Sequence, residues 1–220
     1  MATTSERPLR RDAERNRQRI LVSARVLFAE RGLGVSLDEI ARHAGVGVGT
    51  VYRRFPDKEQ LIDALFEDRL AEILAAATAS LEMSDPWDAL VHFLERSMEM
   101  QVEDRALKQL LLSTTAAHAR IEHGRRQIQP VVAAILRRAQ EAGVVREDLA
   151  VSDMMLLQHG IGEVADYTRE VAPEVWRRIV LIALDGLRPD RRRPSPMPAP
   201  PLDDEQLVCS MRDWGLRRRR

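Results

Sequence analysis

The chain has 220 residues and a mass of 25.0 kDa, enough for a substantial core in one or two domains. Hydrophobic residues make up 45% and charged residues 31%, yet no apolar run approaches the roughly 20 residues of a membrane span. The polar start MATTSERPLRRDAERNRQR lacks the apolar stretch of a secretory signal. With one cysteine, Cys209, a disulfide scaffold and a cysteine-based metal cluster are both excluded, so a soluble, cytoplasmic protein is expected.

The net charge of zero is unevenly placed. Residues 1–58 hold twelve basic and seven acidic residues, residues 59–187 thirteen against twenty-two, and residues 188–220 nine against five. A basic first module on an acidic body is the asymmetry of a chain in which one part meets a polyanion. A solvated arginine face is the alternative that charge alone leaves open.

Residues 1–13, with Arg7, Arg10 and Arg11, read as a flexible basic arm. Ile20, Ala24, Leu27 and Phe28 then fall on one face of a helix that Gly32 can stop. Ser36, with Glu39 three positions on, is a capping-box start. Leu37, Ile40, Ala41 and Ala44 make a short apolar stripe, broken by Gly45-Val46-Gly47. A third short helix carries Val51, Tyr52 and Phe55, and Pro56-Asp57 supplies a stop and a new N-cap, with Gln60 at the capping-box position.

From Asp57 a long helix is predicted, with Leu61, Leu65, Ile73, Leu74 and Ala77 on one face and Ile62, Phe66 and Leu70 on the next, so that it meets both a small module and a larger body. Further helices are predicted at about 86–101, 103–115, 120–142, 151–169 and 173–187. Pro86 and Pro173 suit first turns, and Pro130 should kink or restart its helix. No stretch alternates with period two between hairpin turns. The expected fold class is therefore all-α, about nine helices. Residues 189–201 hold six of the eleven prolines and read as an extended linker. Beyond it Leu207, Val208, Met211 and Trp214 share one face of a short amphipathic helix, and Arg217 to Arg220 close the sequence.

The informative stretch is SLDEIARHAGVGVGTVYRRFPDKEQLI, residues 36–62, whose helix, glycine turn and short second helix make a helix-turn-helix. Ala41 and Ala44 are small where the helices cross, and Gly45 permits a left-handed turn. The stretch strongly resembles the TetR family of bacterial transcriptional repressors. The matching residues are Ser36, Glu39-Ile40-Ala41, Ala44-Gly45-Val46, Thr50-Val51-Tyr52, Phe55, Lys58 and Leu61, and Phe28-Ala29-Glu30-Arg31-Gly32 extends the likeness to residues 14–73.

The resemblance implies a DNA-binding domain over 14–73 (motif 36–55), an effector-binding and dimerisation body over 74–187, and a tail over 188–220. Its partners would be a double-stranded DNA operator, a small-molecule effector and a second copy of the chain. It makes Tyr52 and Lys58 phosphate contacts, with Ser36 and Thr50 supplying hydroxyl or helix-terminus contacts and Gly49 a close backbone approach. Arg53 is the favoured base reader, able to bond a guanine edge, with Val48 against a thymine methyl. Gly47 and Val48 depart from the family, which commonly has a hydroxyl and a polar or basic residue there. A ring packed in the module's core is the alternative for Tyr52, and a solvated or intramolecular pair the one for Arg54. Lys58, at a helix start, sits poorly with the helix dipole, which a DNA phosphate would explain.

In the body, Trp87, Phe93, Met98, His118, Gln158 and His159 are polar or adaptable groups on apolar helical stretches and are candidates for the effector site. The resemblance places the dimer on the last two large helices, through Met154, Leu157, Gly160, Ile161, Val164, Leu181 and Leu184, with Gly162 also allowing close approach; intrachain core is the alternative for these residues. His118 and His123 do not share a face and no carboxylate completes a metal set, so neither metal nor cofactor is expected. There is no GxSxG, phosphate-binding glycine loop, HExxH or cysteine nucleophile, which speaks against an enzyme. A helical interaction module without DNA binding is the remaining alternative, and it leaves the basic first module unexplained.

Overall fold

The structure, a computed structural model, describes residues 6–103 and 117–189 together with 200, 202, 203, 205 and 206. Among these residues it holds eight α-helices: α1 (Glu6–Arg31), α2 (Leu37–Ala44), α3 (Val48–Arg54), α4 (Lys58–Glu82), α5 (Pro86–Glu103), α6 (Ala117–Glu141), α7 (Val151–Thr168) and α8 (Val175–Leu187). A 3-10 turn spans Gly32–Gly34. The helix expected at 103–115, the proline linker and the tail helix at Leu207–Trp214 lie outside the described residues.

One expectation changes. Helix α1 begins at Glu6, inside the segment expected to be a flexible arm. Arg, Glu and Gln are good helix formers, Pro8 falls in the first turn, and Arg15 pairs with Asp12 and Arg17 with Glu14 three positions back. Of the two outcomes expected at Pro130, a kink or a restart, the restart does not occur, because α6 runs from Ala117 to Glu141 with the proline inside it.

The chain forms two compact units that divide after Arg69, a few residues before the boundary expected at 73. In the first, Ile20, Leu21, Ala24 and Phe28 of α1 pack with Leu37, Ile40 and Ala41 of α2, Val51 of α3, Phe55, and Leu61, Ile62 and Leu65 of α4. Asp68 of α4 accepts Arg25 at 3.0 Å and Arg17 at 3.5 Å, adding charge pairs between α4 and α1.

In the second, Ala77 of α4 joins Leu90, Phe93 and Met98 of α5, Ile135 of α6, Met154 and Ile161 of α7, and Trp176, Val180 and Leu184 of α8. Helices α5 and α7 run parallel, since Gln158 donates to Ser97 and, further along both, Arg169 donates to the carbonyl of Val102 at 3.4 Å. Helix α8 returns antiparallel. Arg177 near its start pairs with Glu99 at 3.0 Å, and Arg188 past its end stacks on Trp87 at the start of α5, 3.8 Å from the ring centroid. Arg138 closes the C-terminus of α4, donating to the carbonyls of Leu81 at 2.9 Å and Ser84 at 2.7 Å.

Candidate nucleic-acid interface

The geometry of α2 and α3 follows from local chemistry. At the start of α2 the Glu39 amide donates to Ser36 Oγ at 3.2 Å, while Glu39 Oε2 accepts the Ser36 amide at 2.8 Å and its hydroxyl at 2.9 Å. These bonds and a pair with Arg31 hold the Glu39 carboxyl down at about 2, the Ser36 main-chain N–H contributing most. At the other end Gly45 takes φ +62°. The Val46 amide then reaches back to the carbonyl of Ala41 at 3.1 Å, and the Gly45 amide to that of Arg42 at 3.2 Å. This is a Schellman ending, and it sets the direction in which the chain enters α3. Arg19 of α1 donates to the Gly45 carbonyl at 3.2 Å, so closely that a Cβ on Gly45 would stand 2.7 Å from its guanidinium.

Helix α3 is therefore presented with one face in and one face out. Val51 is fully buried, whereas Val48, Gly49, Tyr52 and Arg53 lie together on the exposed side. The Tyr52 ring is 46% exposed and so does not fill the module's core. Its hydroxyl is hydrogen-bonded to Asp38 on α2, and that bond, more than the carboxylate's charge, pushes the phenol above its ordinary value. Gly47 caps α3 with no side-chain bond, as its departure from the family pattern implies. A Cβ on Gly49 would meet nothing within 4 Å, so the chain's own packing does not demand glycine there. Ser36 is spent mainly on the capping box, and Thr50 on α3 is half-buried.

Lys58 carries a partner that sequence reasoning missed. Its Nζ donates to the carbonyl of Leu33 at 2.7 Å, tying the first turn of α4 to the 3-10 turn before α2. The signal could not be found locally, because the bond crosses 25 positions.

Comparison with known proteins agrees with this arrangement. Residues 20–65 match the family model for bacterial regulatory proteins of the tetR family, and residues 85–189 match the model for the C-terminal domain of SbtR-like transcriptional regulators. The fold resembles that of a TetR transcription regulatory protein from Mycobacterium vanbaalenii, with a TM-score of 0.66, 36% identity, and coverage of 82% of this chain and 99% of that one. This chain belongs to the TetR family.

A TetR transcriptional regulator from Streptomyces coelicolor is also similar, at a TM-score of 0.65 and 31% identity over 80% of this chain and 99% of that one. The chain spans less than half the length of the curated relatives it matches. It is 34% identical to the Transposon Tn10 TetC protein of Escherichia coli over 88 residues, 40% of this chain and 45% of that protein. It is 48% identical to an HTH-type transcriptional regulator of Staphylococcus aureus (strain USA300) over 54 residues, 24% of this chain and 29% of that protein.

Within the TetR body the expected effector residues separate. Met98 and Gln158 line a small apolar cavity together with Leu94, Leu157, Ile161 and Leu184, with free space for about one water-sized sphere. Phe93 is buried in the same core without lining the cavity, Trp87 is covered by Arg188, and His159 is half-buried outside the lining. The side chain of His118 lies outside the described residues.

The expected dimer residues separate as well. Met154, Ile161 and Leu184 are buried in this chain's own core, and Leu157 packs half-buried against it. Gly162 is pressed against the amide of Gln101, an intrachain contact. Val164 is half-buried, while Gly160 and Leu181 do face outward. The apolar residues that share that outer position are Leu156 and Tyr167 on α7 and Ile182 on α8. Helix α7 is apolar on several sides, so its rotation, and not its composition, selects the inner face. Among the described residues no helix is long and apolar enough to cross a membrane.

Proposed function

We propose that this TetR family regulator binds a near-palindromic operator as a homodimer and releases it when a small, mainly apolar effector occupies the helical body, so that it acts as a cytoplasmic repressor and not as an enzyme. The observation that carries the reading is the outward face of α3, with Val48, Gly49, Tyr52 and Arg53 opposite the buried Val51 and aimed by the Gly45 turn. In this reading α3 enters a major groove. Arg53 bonds a guanine edge bidentately and Val48 touches a thymine methyl. Tyr52, Lys58, Thr50 and the capped start of α2 at Ser36 settle on phosphates, which position the module without choosing sequence.

A second copy is supported by the outward apolar residues of α7 and α8. Tyr167 is 92% exposed and Ile182 is 65% exposed, and exposed apolar residues gathered into one patch mark a surface for protein contact. Two copies related by a twofold axis would set their α3 helices about 34–36 Å apart, one turn of DNA. An effector that favours another spacing by about 1–3 kcal/mol lowers operator affinity about 5–150-fold.

Sequencing the DNA retained by the purified protein from a genomic pool tests this reading. Recovery of a near-palindromic site is expected, and retention of DNA without a common sequence would defeat it. On the recovered site Arg53→Ala should cost about 1–3 kcal/mol while sparing random DNA. Equal losses on both would remove Arg53 as a base reader.

A further inference from the structure

Two buried N–H groups of the helical body have no hydrogen-bond partner among the described residues, Nε2 of Gln101 on α5 and Nε1 of Trp176 on α8. Buried donors are met almost everywhere in folded proteins, so a pair left unmet calls for a physical reason. Each lies one helical turn from residues that line the cavity, in the same direction along the bundle. Gln101 lies one turn beyond Ser97 and Met98 on α5, and its amide rests on Gly162, one turn beyond Gln158 on α7. Trp176 lies one turn before Val180 on α8, and because α8 runs antiparallel to α5 this is the same direction along the bundle.

Met98, Gln158 and Val180 line the small apolar cavity. The unmet donors thus occupy the turn next to a cavity whose own polar edge is already satisfied, since Gln158 Nε2 donates to Ser97 Oγ, which donates in turn to the Leu94 carbonyl at 3.1 Å. Glycine at 162 is what lets the Gln101 amide lie there: a Cβ would stand 3.1 Å from its Cδ and closer still to its Nε2.

The two groups only donate, so they fit an oxygen that only accepts. The neighbouring charge is balanced. Arg177, stacked 4.4 Å over the Trp176 ring, is paired with Glu99 at 3.0 Å and Glu174 at 2.7 Å. Arg177 is thus already matched by two carboxylates, which favours a neutral carbonyl over a further carboxylate. Met98, unbranched and adaptable, gives the cavity a wall that can move aside.

We propose that the effector class is a small apolar molecule bearing a neutral carbonyl, a ketone or an ester, whose oxygen accepts from Gln101 Nε2 and Trp176 Nε1 while its apolar part spreads the cavity beside Met98. The proposal rests on the reading of the chain as an effector-responsive regulator.

Acetophenone and ethylbenzene, nearly the same shape and differing in the carbonyl, test it on the full-length protein. The readouts are calorimetric affinity and the indole 1H–15N resonance of Trp176, assigned by its loss in Trp176→Phe. Acetophenone should bind about 3–10-fold more tightly than ethylbenzene and move the Trp176 indole proton downfield. Gln101→Met, close to glutamine in bulk, and Trp176→Phe, which removes the indole N–H, should each abolish most of that preference. Equal affinity for the two probes, acetophenone binding with the indole signal unmoved, or no binding of either would overturn the assignment. A gel shift on the recovered operator separates the two readings. Acetophenone that binds as stated without weakening the operator complex keeps the site and defeats effector control. Operator binding by a protein indifferent to the carbonyl keeps the regulator and defeats the ligand class.

Discussion

Lys58 Nζ donates to the carbonyl of Leu33 at 2.7 Å, and through that bond a cation at the start of α4 is matched by the chain's own backbone. The bond meets an objection raised by the helix dipole, which disfavours a positive charge at that end. It also holds the ammonium beside the entry to α2, where a DNA phosphate would share the ammonium's N–H groups with the Leu33 carbonyl.

Lys58→Ala should therefore act on two measurements at once. Loss of the hydrogen bond should cost up to about 1 kcal/mol of stability, read as a lower Tm. The slope of log affinity against log salt should flatten by about one phosphate contact, equally on operator and random DNA. An unchanged salt slope would confine Lys58 to its structural bond.

The start of α2 should report in acid. The Glu39 carboxyl lies at about 2 in the folded chain against an ordinary 4.5, so the unfolded chain takes up its proton first as the pH falls. The stabilisation is complete above about 4.5 and is lost as pH falls through that value towards about 2. Tm measured across this window should fall less steeply in Glu39→Gln than in the parent protein. An identical slope in both would show that the capping box does not contribute to acid unfolding.

Gly49 separates folding from binding. Open space surrounds the position of its missing Cβ, so Gly49→Ala should raise stability by up to about 1 kcal/mol, as alanine does in a helix interior. If the α3 backbone approaches DNA closely there, the same methyl should weaken operator binding. A variant both more stable and undiminished in DNA affinity would exclude the close approach.

The outer face of α7 and α8 can be tested against its inner one. Leu181, 55% exposed, should accept glutamate with little change in folding, and Leu181→Glu should shift the protein from dimer to monomer in light scattering. Leu184 lies in the core, so Leu184→Glu should unfold the body by burying an unpaired charge. A Leu181→Glu variant that remains a dimer would place the interface elsewhere.

What could be read in the residues alone was whatever depends on near neighbours. The Ser36–Glu39 box, the Gly45 turn and the buried stripe of Ile40, Ala41 and Ala44 act within five positions, so spacing and residue type suffice to foresee them. The family likeness lies in the same short stretch. Tertiary structure decided the rest, because it depends on partners far away in sequence or on how a helix is turned. Lys58 finds Leu33 across 25 positions, and Gln158 finds Ser97 across 61. Helix α7 is apolar on more than one side, and period alone ranks Met154 and Ile161 beside Leu156 and Tyr167. Packing against α5 and α8 turned the first pair inward and left the second outside, since a helix rotates to bury the face that its neighbours can fill.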